Sequence, residues 1–206
     1  MLGFSLISRQ MTDSIPSRAQ LRKTLREQRR ALSPIAQKKA AQHFLKQFVK
    51  SALFHRHQRI AMYLANDGEL NLQPTIDYAL ACGKKVYLPV LNTWPQTQMA
   101  FQQVVANQVW EKNRFNIVQP KINRDLQVKP WALDLVLLPL VGFDRTGGRL
   151  GMGGGFYDRH FAYLTQRKTW RKPVLVGVAH ACQELAHIPV QSWDIPLDKV
   201  LVASPK

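Results

Sequence analysis

Residues 134–158 read DLVLLPLVGFDRTGGRLGMGGGFYD. The first ten, to Phe143, are a near-continuous apolar run of strand length, the pattern of a strand covered on both faces. Residues 144–158 then hold six of the chain's eleven glycines, and residues 156–166 are expected to form a helix. Ligands of open α/β sheets sit at the carboxyl ends of strands, which is where this loop falls. Glycines let the backbone approach a ligand and aim successive N–H groups at an anion. A following helix would add the positive end of its dipole. Arg149 would reach into a solvated cleft as a charge-assisted donor to phosphate. The loop therefore reads as a phosphate-binding segment. It is not a P-loop, because no Lys-Ser or Lys-Thr pair follows the glycines, and the dinucleotide fingerprint fits only in fragments.

Outward from this loop, strand and helix signals alternate. Residues 59–65, 85–91, 99–105, 174–179 and 200–203 are expected as strands, with helices over 18–32, 34–53 and 71–82. Ser33-Pro34 opens the second helix with a cap and a proline at its first position. Asn66-Asp67-Gly68 marks a turn, and residues 114–129 look polar and irregular. The pattern implies an α/β fold: a three-layer α/β/α domain with a mostly parallel central sheet and an N-terminal helical pair. Residues 1–17 are expected as a mobile extension and 18–206 as a single domain. In the first helix, Leu21, Leu25 and Leu32 share one face, and Arg18, Arg22 and Arg29 line its edge. Taken alone, that helix reads as solvated, its arginines covering the rim of the core.

The chain has 206 residues, 46% hydrophobic and 20% charged, which excludes a disordered or collagen-like chain. No apolar run is long enough to span a membrane. The two cysteines, Cys82 and Cys182, match no metal-ligand spacing, so a reducing, cytoplasmic location is expected; separately, the chain is expected to be a monomer. The formal charge is +16, and residues 1–60 carry thirteen basic and two acidic side chains of it. Such a surplus attracts polyanions: nucleic acid, nucleotides or polycarboxylates.

The pattern G-x-D-x-x-G-x-R-L-G-x-G-x-G-[FY]-Y-D resembles the signature of the 5-formyltetrahydrofolate cyclo-ligase family. It runs here through Gly142, Asp144, Gly147, Arg149, Leu150, Gly151, Gly153, Gly155, Phe156, Tyr157 and Asp158. Leu21-Arg22 with Arg29 to Ser33, Tyr63-Leu64 with Gly68-Glu69-Leu70, and Trp193 to Asp198 resemble flanking motifs in the family's order. Three positions depart: Gly154 stands where a basic residue is common, Phe156 where Tyr is, and Arg18 where Lys is.

The resemblance implies ATP- and Mg²⁺-dependent cyclisation of 5-formyltetrahydrofolate to 5,10-methenyltetrahydrofolate, with release of ADP and phosphate. It assigns ATP to Arg18, Ala19, Gln20, Leu21 and Arg22, and to Arg149, Leu150, Gly151, Met152, Gly153, Gly154, Gly155, Phe156 and Tyr157. It assigns the folate to Leu64, Glu69 and residues 152–156, magnesium to Asp158 and Asp194, and catalytic roles to Arg149 and Tyr157. The positive surplus would suit a polyglutamate tail on the folate. Taken alone, Glu69 reads as a surface turn residue, Asp158 as part of a helix's first turn, and Asp194 as a turn residue before Pro196.

Two other readings compete. A nucleic-acid-binding protein would account for the charge, but the first helix carries no Trp, Tyr or Phe for stacking and the glycine loop would go unused. A sugar-phosphate isomerase or CoA-transferase-like enzyme would share the architecture, and fold alone does not choose between them.

Overall fold

The computed structural model describes residues 16–92, 98–166 and 172–203. The expected mobile extension therefore falls almost wholly outside the described residues, as does most of the proline-containing loop after residue 91.

Seven strands form the main sheet: β1 (Arg59–Ala61), β2 (Lys85–Leu91), β3 (Met99–Gln103), β6 (Gln127–Val128), β7 (Leu135–Pro139), β10 (Val174–His180) and β11 (Lys199–Ala203). Their order is β11-β10-β7-β1-β2-β3-β6. The five from β11 to β2 are parallel, with Ile60 paired to both Val86 and Leu135. β3 and β6 are antiparallel additions at one edge. Two short antiparallel pairs lie outside it, β4 (Trp110–Lys112) with β5 (Val118–Pro120), and β8 (Gly142–Phe143) with β9 (Arg149–Leu150).

Helices α2 (Pro34–Val49), α3 (Ala52–Arg56) and α4 (Gln73–Ala81) cover one face of the sheet. There Phe44, Phe48, Phe54 and Ile76 pack on Ile60, Val86, Leu135 and Val176. On the other face, α5 (Phe156–Phe161) and a 3₁₀ turn through Gln166 pack on Tyr87, Phe101, Val136 and Leu138. The alternation of these contacts along each strand follows from its period of two. The two N-terminal helices go to different places. α2 lies on the sheet, whereas α1 (Arg18–Arg30) crosses toward the small β8–β9 pair, where Leu25 packs with Val141, Leu150 and Ile188.

Several expected elements are shorter than their patterns, the strand expected over 59–65 ending at Ala61 among them, and three have a visible local cause. The second helix stops at Val49 because Ser51 restarts the chain. Its hydroxyl donates to the Phe48 carbonyl at 2.6 Å and accepts the Phe54 N–H at 3.4 Å. The apolar run 134–143 leaves the sheet after Pro139, whose missing N–H ends the ladder. The carbonyls of Leu140 and Val141 are then taken by the Gln183 side-chain amide at 2.6 and 3.1 Å. The helix after the glycine loop has only six residues before it tightens, so its dipole adds less than a full helix would. Residues 114–129 are more ordered than their polarity suggests, since they supply β5 and β6.

Phe44 is fully buried and stacks on Phe48 at 5.6 Å between ring centroids. Phe44→Ala is expected to lower unfolding free energy by about 3–5 kcal/mol. Urea titration should show a lower midpoint at unchanged slope.

Candidate active site

Tyr63 and Leu64 follow β1, Leu88 to Leu91 end β2, and Pro139 ends β7. These carboxyl ends open onto a cavity of about 490 Å³, which is also lined by the 151–158 segment and by Arg18, Arg22, Glu69, Arg149 and Asp194. Among the described residues, none of the amides of Gly151 to Gly155 donates to a protein acceptor. The loop is held instead from its carbonyl side. Arg22 Nε donates to the Gly151 carbonyl at 2.8 Å, and Arg159 Nη2 to the Gly154 carbonyl at 2.7 Å. Gly153 has φ +99°, a backbone that a side chain would strain.

The turn before the loop is pinned by Asp144, whose carboxylate accepts the N–H groups of Thr146, Gly148 and Ile188 at 2.8–2.9 Å and the Thr146 hydroxyl at 2.7 Å. Burial opposes its ionisation, but these bonds outweigh burial and hold the carboxyl below its usual range. A methyl group on Gly148 would lie 2.4 Å from that carboxylate, so only glycine fits.

The aspartates and arginines of the site are interleaved. Arg149 Nη2 is hydrogen-bonded to Asp158 Oδ1, which also accepts the Ile195 N–H at 3.3 Å. Arg18 makes a bidentate pair with Asp194 at 2.7 and 3.1 Å. Arg149 is only 6% exposed, so the expected reach into open solvent is corrected: its guanidinium is packed on the cavity wall against a carboxylate. The solvated reading of the first helix fails similarly. Arg18 and Arg22 are bonded across to other segments, and Arg29 is fully buried.

Glu69 sits at the same cavity, its Oε2 accepting the Asn66 N–H at 3.0 Å. Burial pushes its carboxyl up to about 7, against the pull of the Asn66 amide and of Arg29. Burial, and then the charge of Glu69, raise the Tyr157 phenol above its usual range, so it stays a neutral hydroxyl.

Of the remaining expected site residues, Leu64, Met152 and Phe156 also line the cavity, while Ala19, Gln20, Leu21 and Leu150 do not. Gln20 closes a capping box at the start of α1, its Oε1 accepting the Ser17 N–H at 2.7 Å. Leu21 and Leu150 pack in the small core behind the loop. Ala19 borders a shallow groove on α1. Sequence reading missed the β4–β5 hairpin, which brings Asn113, Phe115, Ile117 and Gln119 to the cavity. Phe115 meets Phe156 edge-on at 6.1 Å. It also missed Arg159, whose guanidinium stands 5.3 Å from the Phe156 ring beside Gly154, where the signature commonly has a basic residue.

A profile of the 5-formyltetrahydrofolate cyclo-ligase family matches residues 14–203. The chain belongs to this family. It is 40% identical over 182 residues to the 5-formyltetrahydrofolate cyclo-ligase of Escherichia coli K12, covering 87% of this chain and 97% of that one. It is 34% identical over 185 residues to that of Haemophilus influenzae, covering 90% and 97%. The NMR structure of Aquifex aeolicus 5,10-methenyltetrahydrofolate synthetase superposes with a TM-score of 0.76 at 26% identity, over 90% of this chain and 89% of that one. Membership accounts for the order of the motifs along the chain, and the cavity brings together residues from all of them.

Arg149→Ala would strand the Asp158 carboxylate on a partly buried wall. Loss of stability by roughly 2 kcal/mol is expected, below the figure for a fully buried pair. Arg149→Ala/Asp158→Ala should recover part of the lost melting temperature, measured on the same preparations.

Proposed function

We propose that this chain is a 5-formyltetrahydrofolate cyclo-ligase: it converts 5-formyltetrahydrofolate and ATP to 5,10-methenyltetrahydrofolate, ADP and phosphate. The observation that carries this is one cavity holding two chemistries. The unpaired loop amides with Arg149, Arg18 and Arg22 suit a polyphosphate. The carboxylate of Glu69, with apolar Leu64 beside it, suits the amino-pyrimidinone edge and ring of a pterin.

The formyl oxygen is a weak nucleophile and a poor leaving group. It attacks the γ-phosphorus, and ADP departs. N10 then adds to the activated formyl carbon and loses its proton, and the carbon–oxygen bond breaks to release phosphate. Such a transfer needs positioning and charge neutralisation more than a covalent protein nucleophile. Arg149 and the loop amides would stabilise charge on the transferred group. Tyr157, held neutral, can donate a hydrogen bond to it but does not serve as a phenolate base.

Asp158 and Asp194 would hold Mg²⁺ together with the nucleotide's phosphates. The donor set fits that shared arrangement, since Mg²⁺ favours few protein carboxylates with phosphate and water. It does not fit a protein-only site: among the described residues no three His, Cys, Asp or Glu side chains gather. The ion would supply neutralisation of phosphate charge. Its ligands must first part from Arg149 and Arg18.

Formation of the methenyl chromophore is expected to require both ATP and a divalent cation, and full-rate product in excess EDTA would overturn the mechanism. Glu69→Gln replaces one acceptor oxygen by a donor and should raise KM for the folate by roughly tenfold or more, with little change for ATP. For the unaltered enzyme the sign with pH follows from the raised carboxyl: below about 7 Glu69 is mostly protonated and accepts fewer N–H donors. Initial-rate measurements should show kcat/KM for the folate falling about tenfold per pH unit on that side.

A further inference from the structure

The turn that carries Glu69 is fastened to α1 by hydrogen bonds to a single residue, Asp67. Its carboxylate accepts from Arg26 Nε at 2.7 Å, from Arg29 Nη2 at 2.9 Å and from Arg30. Its carbonyl accepts from Arg29 Nε at 2.8 Å. Asp67 takes φ +54°, in the left-handed region that disfavours most side chains but that Asp and Asn tolerate. Three guanidiniums on one carboxylate exceed what a surface turn needs for stability.

The buried Arg29 explains the excess. Its Nη2 has two carboxylates in reach, Asp67 Oδ2 at 2.9 Å and Glu69 Oε1 at 3.9 Å. Among the described residues these are its only two carboxylate neighbours within 4 Å. Asp67 is the nearer and takes the hydrogen bond. Were its charge removed, Glu69 would be the remaining anion for Arg29, and a direct pair would turn its Oε1 away from a ligand.

We propose that Asp67 is a positioning residue for the folate: by engaging Arg29 it keeps Glu69 from pairing with α1 and leaves that carboxylate open to the N–H donors of the pterin. This rests on the reading of Glu69 as the pterin acceptor. The groups that face Glu69 are Arg29 from α1, Asp67 on its own turn, Tyr63 after β1, Tyr157 of α5, and His180 at the end of β10, which stands against the backbone of Gly68 and Glu69. Burial raises both phenols, and burial and then Arg29 lower the imidazole, so these three stay neutral. The balance at Glu69 therefore lies between Arg29, which favours its charged form, and Asp67, which opposes it.

The test uses the full chain, with 5-formyltetrahydrofolate and Mg-ATP varied separately across pH. Asp67→Asn keeps the shape and the left-handed backbone but loses the charge. Its folate KM should rise about fivefold or more while its ATP KM holds. The acid limb of kcat/KM for the folate should move down by about one pH unit, because Arg29 then acts on Glu69 unopposed. A purely structural role would lower the melting temperature and the active fraction without moving that limb. Asp67→Glu keeps the charge, so its limb should stay in place while its folate KM rises less. A folded Asp67→Asn with wild-type folate KM, or with an unmoved limb, overturns the proposal, as does an Asp67→Glu limb displaced like that of Asn. If Asp67→Asn does not fold, Asp67→Gly, which removes the charge and accepts the left-handed backbone, takes its place with the same outcomes. Glu69→Gln in the same assay separates the two readings. Should it leave the folate KM unchanged, Glu69 is not the acceptor and both fall; should it raise KM where Asp67→Asn does not, only the role of Asp67 falls.

Discussion

A guanidinium buried without solvent must find protein acceptors for its donors, or the cost is several kcal/mol. Arg29 meets that condition by bonding to Asp67, to the Leu140 carbonyl at 3.2 Å and to the Met152 sulfur at 3.7 Å. Those acceptors belong to three separate segments: the turn after β1, the exit of β7, and the glycine loop. Satisfying one side chain therefore fixes the relative positions of the parts that surround the cavity. Arg18, at the start of the same helix, and Arg22, about one turn on, extend the fastening to the 189–194 turn and to Gly151.

The same arrangement shapes the electrostatics. Arg149 and Arg18 stand ready at the cavity but are not idle, since each is held by an aspartate. A carboxylate partner fixes the planar fork in place, which reduces the ordering needed when an anion arrives. On the proposed reading it would also set a threshold: a phosphate would draw the arginine away from its aspartate, and the freed aspartate would then favour a cation. Anion and metal binding would then be coupled by charge exchange within these four side chains.

Much of this was legible in the residues. The parallel sheet announced itself through apolar runs between helical patterns, and the loop through its glycines and Arg149. What was not legible depended on distant partners. The period of α1 showed that Arg29 lies beside the leucines, but only Asp67, thirty-eight residues on, makes its full burial possible. The hairpin of β4 and β5 was hidden because its strands have three residues each, too few to establish an alternation. Gln20 and Leu21 lie in a helix whose neighbours do reach the cavity, yet one serves the cap and the other the core. Position within a motif does not distinguish those duties; direction on the helix does.

The pairing of Arg18 with Asp194 spans 176 residues of chain. α1 is made long before the partner it meets. Closing so long a loop costs little more free energy than closing one half its length, because the entropy grows logarithmically, but the contact cannot exist before residue 194 does. The sheet strands from β1 to β7 can pair, and Arg29 can engage Asp67 and Leu140, while Arg18 still lacks its carboxylate. This corner of the cavity is therefore completed late, and a chain cut short before the 189–194 turn would lack this anchor of its candidate site.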